Sequence, residues 1–95
     1  MEADTEFSLF AEGVSLANNF SHWLRTHRER LGLTPEQMSV WCDLDVNTWA
    51  ALENCEILEP SVSVADRVAA ALGTAGVMVL FMAGLSASAR RLGLR

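Results

Sequence analysis

The sequence predicts an all-α fold in the form of a compact bundle of about five helices. Apolar residues make up 51% of the 95 residues. They recur at three- and four-residue spacing along most of the chain, which is the period of amphipathic helices. Residues that favour helix caps and glycines that favour helix ends separate these periodic segments. A chain of this size and composition can bury one modest core without a metal or a disulfide.

The first helix should begin near Ala17 and end at Gly32, because apolar side chains recur with helical period between them and glycine commonly ends a helix. Trp23 in this helix and Trp49 further along the chain occupy periodic positions, so both are expected in the core. Residues 1–16 form an N-terminal extension. A short capped helical turn and an extended arm both fit its sequence.

Residues 33–54 predict two short helices joined by a tight turn. Thr34 is a favourable N-cap and Pro35 suits the first helical position, so the second helix should begin there. It should end near Cys42, and Asp45 can cap a third helix after the turn. Two short helices connected in this way outline a helix-turn-helix.

A fourth helix should follow Pro60, with Ser61 or Ser63 as its N-cap, and end at Gly73. Its apolar residues are spaced three and four apart, which directs one face inward. Proline cannot continue the preceding helix and glycine favours the end of this one, so both boundaries have a local cause.

The last helix should extend over residues 75–91, with Thr74 as its N-cap. The segment Val77–Phe81 taken alone is also typical of a strand. The alanine, glycine and leucine residues around it, and the arginines at its end, favour helix. A break in this helix near Gly84 is left open.

This last helix is apolar nearly all round, whereas a helix of a small domain has one inward face. Its second apolar face should be covered by another surface. A homodimer supplies that surface most simply, and burial beneath the N-terminal extension is the alternative. The residues expected at the dimer interface are Val77, Met78, Phe81, Met82 and Leu85. The predicted domains are the N-terminal extension 1–16, a helix-turn-helix core 17–73 and a C-terminal apolar dimerisation helix 74–95.

The charge balance is acidic, with a formal net charge of −5 and twelve acidic residues against seven basic ones. For a nucleic-acid-binding protein this is the unfavourable sign, because non-specific affinity comes largely from cations that neutralise phosphate. The acidic N-terminus lacks the pattern of a secretory signal, and the longest apolar run is too short to span a bilayer. We therefore expect a cytoplasmic protein with reduced cysteines and no membrane association.

The sequence predicts no enzyme, no cofactor and no metal site. His22 and His27 would lie about 140° apart on a helix, so one metal cannot easily use both. Cys42 and Cys55 do not form a zinc-binding spacing with these histidines. No nucleophile elbow or phosphate-binding loop accompanies the serines, and the acidic residues are scattered.

Three motifs occur in a characteristic order: a Leu-Gly-Leu-Thr entry at 31–34, a Leu-Glu-Asn close at 52–54 and an Ala-Leu-Gly exit at 71–73. Together they resemble the Cro/C1-type, or XRE family, helix-turn-helix proteins over residues 17–73. The resemblance implies a lambda-repressor-like bundle, usually dimeric, whose third helix lies in the major groove of DNA. It also implies a structural ion pair between Arg28 and Glu53.

The resemblance assigns four residues of the third helix to the bases, and three arginines are the nearest candidates for phosphate. These candidate DNA-binding residues are Val46, Asn47, Ala50 and Ala51 for bases and Arg25, Arg30 and Arg67 for phosphates. Among the four, only asparagine can hydrogen-bond a base edge, for which adenine is its favoured partner. Valine and alanine can at most contact thymine methyl groups.

The chain departs from the family at this surface. No basic residue lies between Arg30 and Arg67, whereas seven acidic residues do. Val40 and Trp41 occupy the face of the second helix that the family usually leaves polar. The residues of a candidate protein-binding patch edged by carboxylates are Val40, Trp41, Val46 and Ala50. Cys55 also replaces a glycine that the family often has after the third helix, where a positive φ would strain a cysteine.

Two functions therefore stay open from the sequence. The first is a small dimeric helix-turn-helix transcriptional regulator of bacterial or phage type that binds DNA. The alternative is a degenerate helix-turn-helix protein that acts through a protein partner, as an antitoxin, anti-repressor or inhibitor does, with little or no DNA binding. The motif order favours the first function, and the local charge favours the second.

Overall fold

Five α-helices follow one another without any strand in residues 12–94, which are the part of the chain that the computed structural model describes. They are α1 Asn19–Arg30, α2 Pro35–Trp41, α3 Val46–Glu53, α4 Val62–Leu72 and α5 Gly76–Arg91, and a 3₁₀ turn, Leu16–Asn18, precedes them. The predicted all-α fold of about five helices is confirmed. The conformation proposed for residues 1–11 lies outside the described part of the chain.

The starts of α2, α3 and α4 follow from local side-chain caps. Thr34 Oγ1 accepts from the N–H of Gln37 at 3.1 Å, and Gln37 Oε1 accepts from the N–H of Thr34 at 2.9 Å, which completes a capping box. Asp45 Oδ2 accepts from the N–H of Asn47 at 2.9 Å. Of the two serines considered for α4, Ser61 is the cap. These caps satisfy N–H groups that the first turn of a helix leaves without a partner.

The start of α5 differs from the prediction. Its N-cap is Ala75, which makes no side-chain cap hydrogen bond. Thr74 belongs instead to the turn that closes α4, where its N–H donates to the carbonyl of Ala69 at 2.9 Å. The carboxylate of Asp66 lies so close to Gly76 that a Cβ there would collide with it. A negative group from α4 therefore faces the positive end of the α5 dipole.

The ends of α1 and α4 use glycine as predicted, with φ of 72° at Gly32 and 75° at Gly73. The ends of α2 and α3 use the same left-handed conformation at non-glycine residues, with φ of 56° at Asp43 and 63° at Cys55. The turn between α2 and α3 and the loop after α3 therefore both begin at a residue in a conformation that glycine adopts at lower cost.

The core lies where α1, α3, α4 and α5 meet, with α2 closing one side through its inward residues. It consists of Phe20, Trp23, Leu24, Met38, Cys42, Trp49, Leu52, Ala65, Val68, Ala69, Val79, Met82 and Ala83. Trp23 and Trp49 are thus core residues, as predicted, whereas Trp41 is 59% exposed. Burial of these side chains supplies most of the favourable free energy of folding.

The α5 helix continues unbroken through Gly84, and one of its faces belongs to the core. Met82 is only 1% exposed within its own chain, so its predicted place at a dimer interface is wrong. The reason is that α5 packs against α4 and α1 with the face that carries Val79, Met82 and Ser86.

In the described residues no single helix has the length and apolar character to cross a bilayer. Only α4 and α5 counted together do, and they meet at a bend of 113°.

Candidate nucleic-acid interface

The α2–turn–α3 unit exposes the beginning of α3 and buries its end. Val46 is 38% exposed and Asn47 is exposed, whereas Leu52 and Glu53 are buried. The backbone N–H of Asn47 is used by the Asp45 cap, but its side-chain amide faces solvent. The first turn of α3 is therefore the part of the helix that an external ligand can reach.

The other two candidate base contacts are less accessible. Ala50 and Ala51 are half-buried, since they lie at the border between the exposed and the inward face of α3. Each offers only a methyl group, which suits contact with a thymine methyl but donates and accepts no hydrogen bond. Among the four candidate base contacts, Asn47 is therefore the one whose side chain can hydrogen-bond a base edge.

The end of α3 is anchored by the buried carboxylate of Glu53. Arg28 Nε donates to Glu53 Oε2 at 2.6 Å and Arg28 Nη2 donates to Oε1 at 3.1 Å, so the pair that the resemblance implied is present as a bidentate contact. Trp49 Nε1 donates to Oε2 from one turn earlier on α3, and Arg25 Nε lies 3.3 Å from Oε1. The hydrogen bond to Glu53 raises the pKa of Arg28, which keeps this guanidinium charged.

A second contact fixes the same point of α3 to α1, because the Ser21 hydroxyl donates to the backbone carbonyl of Glu53. Neither Ser21 nor Trp49 was identified from the sequence as a partner of this glutamate. The four-residue separation of Trp49 and Glu53 is a local indication of their contact. The partnership with Ser21 joins residues 32 positions apart and has no such local indication.

The candidate phosphate contacts are already engaged within the protein. Arg25 contacts Glu53, and Arg67 Nη1 donates to the carbonyl of Asp43 at 2.8 Å, in the turn between α2 and α3. Arg30 is exposed in the last turn of α1. A guanidinium has five N–H donors, so these contacts leave donors on Arg25 and Arg67 for a further acceptor while drawing their charge towards the protein.

The acidic side chains around the turn are exposed. They include Glu36 on α2, Asp43 and Asp45 in the turn, and Glu56 and Glu59 in the loop after α3. Among these five, Asp43 lies 3.9 Å from Arg67 and Glu59 lies 3.2 Å from Arg91. Exposed ion pairs of this kind contribute little to stability, and they only partly offset the negative charge of this surface.

A cluster of exposed apolar side chains lies on either side of the same turn. Val40 is 80% exposed and Trp41 is 59% exposed at the end of α2, and Val46 begins α3. Met38, Ser39 and Cys42 are buried and supply the inward contacts of α2. The exposed valine and tryptophan are therefore not needed to pack α2 against the bundle.

An open polar cavity of about 370 Å³ lies beside the end of α3 and is lined by His22, Arg25, Asn54 and Arg90, among others. The two arginines donate to backbone carbonyls at the end of α3. Arg25 Nη2 lies 3.4 Å from the carbonyl oxygen of Glu53, and Arg90 Nη1 lies 3.4 Å from the carbonyl oxygen of Cys55. These contacts cap the C-terminus of the helix. No group of histidine, cysteine or acidic side chains in residues 12–94 has an arrangement that could hold a metal ion.

Comparison with known protein families gives one match. A profile of the helix-turn-helix domain matches residues 20–80, which reach from α1 into the beginning of α5. None of the curated proteins and none of the solved structures that were compared matches the chain. Membership of this family suggests a DNA-binding regulator of the general kind. Since the match covers well over half of its length, the chain belongs to the helix-turn-helix domain family.

Proposed function

We propose that this protein is a small Cro/C1-type transcriptional regulator, of bacterial or phage type, that binds DNA as a homodimer. The observation that carries the proposal is the exposed amide of Asn47 in the first turn of α3, on a helix whose other end is clamped to α1 by Glu53. A helix held at its C-terminal end with its first turn free has the geometry by which this family enters the major groove.

In this proposal Asn47 hydrogen-bonds an adenine, and Val46 contacts a thymine methyl beside it. Ala50 and Ala51 add apolar contacts along the groove. Arg30 and Arg67 contact phosphates, and Arg25 does so through donors that Glu53 leaves unused. Because the cationic contacts are few and the turn is acidic, affinity depends on base contacts more than in a typical member of the family.

The homodimer is proposed to form through the outward face of α5. Val77 is 72% exposed, Phe81 is 51% exposed and Leu85 is half-buried, and they follow one another at four-residue spacing. Leu92, which is 72% exposed, continues the stripe. Met78 packs partly against the core, so only the outer part of its side chain contributes to the proposed dimer interface. A stripe along a helix that residues 12–94 leave exposed is the kind of surface that a second copy covers.

The stripe is self-complementary when two α5 helices run antiparallel about a twofold axis beside Gly84. Phe81 then lies opposite Ser88 of the partner subunit, and Leu85 lies opposite Gly84 of the partner subunit. Large side chains thus meet small ones next to the axis, and the same register places Val77 opposite Leu92 of the partner subunit in both halves of an isologous interface. Residues 17–73 serve as the DNA-reading core in this scheme, residues 74–95 as the dimerisation element and residues 1–16 as an extension.

The dimer is tested by light scattering on the full chain and on Phe81→Glu. Wild type should have the mass of a dimer at micromolar concentration, and Phe81→Glu that of a monomer, because the change buries a charge in the interface. Val62→Glu is the matched control, since Val62 is also an exposed apolar residue, on α4. A monomeric wild type contradicts the proposal.

DNA binding is tested by fluorescence anisotropy with the duplex from upstream of the protein's own gene and with a scrambled duplex. We expect preferential binding to the upstream duplex that weakens when the salt concentration rises from about 50 mM to about 200 mM, as phosphate contacts require. Absence of binding to either duplex at the lower salt concentration contradicts the regulator.

A protein-interaction function without DNA binding is the second candidate. It is favoured by one specific observation, the exposure of Val40 and Trp41 on the same unit that carries Asn47. Tryptophan is among the residues that contribute most to protein–protein affinity. An antitoxin, anti-repressor or inhibitor that retains the family fold would present its partner with such a surface.

A further inference from the structure

Val40, Trp41 and Val46 are exposed apolar residues on either side of the turn between α2 and α3, and we name them together the turn patch. All three are exposed, and they lie within seven consecutive residues around the turn between α2 and α3. Val46 follows Trp41 by five positions along the chain, so their Cα atoms are at most about 18 Å apart. Both therefore fit within one standard protein–protein interface.

The rim of the turn patch is negative. Glu36 precedes Val40 by one helical turn, and Asp43 and Asp45 lie between Trp41 and Val46; all three acidic residues are exposed. Arg67 contacts this rim at Asp43. Its guanidinium donates to the backbone carbonyl of Asp43 at 2.8 Å, whereas the carboxylate of Asp43 lies 3.9 Å away. The charge of the rim is thus left largely available to a partner.

We propose that the turn patch docks a cationic protein segment. An apolar side chain of the segment packs against Trp41, and lysines or arginines on either side of it pair with Glu36, Asp43 and Asp45. Complementary charge selects such a partner and disfavours an acidic one. A guanidinium can also stack on the exposed indole. The proposal rests on the second candidate function and names the chemistry of the partner.

The test selects a displayed random peptide library, with peptides of about 12 residues, on the full-length protein, with counter-selection on Trp41→Ala. We expect the enriched peptides to carry net positive charge around an aromatic or aliphatic residue. Their binding should weaken at least about tenfold on Trp41→Ala, as for an interface hot spot. Binding should be unchanged on Val62→Ala, a control at an exposed valine on α4.

Fluorescence gives a second readout, because Trp23 and Trp49 are buried and Trp41 is the exposed tryptophan. A docked peptide should shift the tryptophan emission to shorter wavelength, and Asp43→Asn should weaken that titration in low salt. Docking on the turn patch by acidic peptides would overturn the partner chemistry while leaving the second candidate function intact. Absence of peptides that depend on Trp41 would overturn both.

Two other occupants give distinct results. If a second copy covers the turn patch, Trp41→Ala lowers the mass measured by light scattering. If DNA covers it, Trp41→Ala lowers affinity for the upstream duplex. Either result overturns the cationic segment as the occupant.

Discussion

Glu53 joins α3 to α1 through its carboxylate, which accepts from Arg28, Arg25 and Trp49. The side chains of Arg28 and Glu53 are 13% and 7% exposed, so neither charge has much access to water when its partner is removed. A buried bidentate pair of this kind is costly to break from one side, because the remaining charge stays desolvated.

Replacing this carboxylate should therefore be severely destabilising. We expect Glu53→Ala to lower the free energy of unfolding by about 3 to 5 kcal/mol, measured by urea denaturation followed by circular dichroism. Glu56→Ala, a change at an exposed glutamate three residues later, should alter it by less than about 0.5 kcal/mol. Equal effects of the two substitutions would show that the pair is not the anchor described here.

We expect His27 to make the stability of the fold depend on pH near neutrality. Burial lowers its pKa, and its ring meets Trp23 edge-on at 5.0 Å between centroids. The neutral imidazole is thus favoured in the folded chain, whereas the unfolded chain titrates near the ordinary value of 6.5. This difference in pKa between the folded and the unfolded state stabilises the fold. The stabilisation is fully present above pH 6.5, and it is lost as the pH falls through the lower pKa of the folded state.

We accordingly expect the free energy of unfolding of the wild type to decrease between about pH 7.5 and about pH 5.5. His27→Gln should show a flatter profile over the same range, since glutamine does not titrate. Urea denaturation at several pH values measures both profiles. Parallel profiles for the two proteins would exclude His27 as the cause.

At the scale of the element, α5 caps the start of α1 with a side chain from far along the sequence. Ser86 Oγ accepts from the N–H of Phe20 at 3.1 Å and donates to the carbonyl of Leu16 at 2.9 Å. Asn18, the local N-cap, makes no side-chain cap hydrogen bond. The serine is fully buried, so it replaces a local cap and explains a polar residue on the inward face of α5.

Removal of this hydroxyl leaves the buried N–H of Phe20 and the part-buried carbonyl of Leu16 without their partner. Ser86→Ala should lower the free energy of unfolding by about 1 to 3 kcal/mol, and amide hydrogen exchange should increase first in the opening turn of α1. Ser63→Ala, at an exposed serine on α4, is the control and should have little effect. A loss smaller than that of the control would contradict the tertiary cap.

The loop after α3 begins at a strained residue. Cys55 has a φ of 63°. Its N–H donates to the carbonyl of Leu52, and the N–H of Glu56 donates to the carbonyl of Ala51. Together these two hydrogen bonds form a Schellman motif. Glycine suits this position best. We expect Cys55→Gly to raise the free energy of unfolding by roughly 0.5 to 1 kcal/mol. Asn54→Gly, at the neighbouring residue with a φ of −97°, should lower it; stabilisation by both would contradict strain at residue 55.

Features with a local cause were predictable from the sequence. The Thr34 and Asp45 caps and the glycine at the end of α1 depend on residues a few positions apart. The inward face of α5 was not predictable, because a helix that is apolar nearly all round has no periodic preference for either face. Met82 was therefore assigned to the wrong face and Ser86 was overlooked. Only packing against α4 and α1 determines which residues turn inward.

In the candidate site, too, some contacts were predictable from the sequence and others depend on tertiary packing. The resemblance identified Arg28 and Glu53 because Glu53 lies within the Leu-Glu-Asn motif and Arg28 lies three residues before the Leu-Gly-Leu-Thr motif. The partners of Arg25 and Arg67 were not predictable, since each depends on contacts at least 24 residues away. The residues proposed to contact DNA, partner protein and second subunit remain predictions, which the experiments above address.

At the scale of the whole molecule, charge and exposure are unevenly distributed. The α2–turn–α3 unit combines an exposed amide with an apolar surface and a negative rim, and α5 exposes an apolar stripe. The fold that holds these surfaces is stabilised by one core and by the Glu53 anchor. If the protein is the proposed regulator, we expect weak non-specific attraction to DNA and an affinity that relies on the readout of bases.

The most direct measurement of the central claim is the affinity of Asn47→Ala for the upstream duplex relative to wild type. The side chain of Asn47 is exposed, and the helix cap at this position uses its backbone N–H, which alanine keeps, so the variant should remain folded. Its affinity should decrease by about 1 to 3 kcal/mol, as for loss of one bidentate base contact. Asn54→Ala, at the opposite end of the same helix, should retain wild-type affinity. Equal affinity of Asn47→Ala and wild type would contradict DNA recognition by α3.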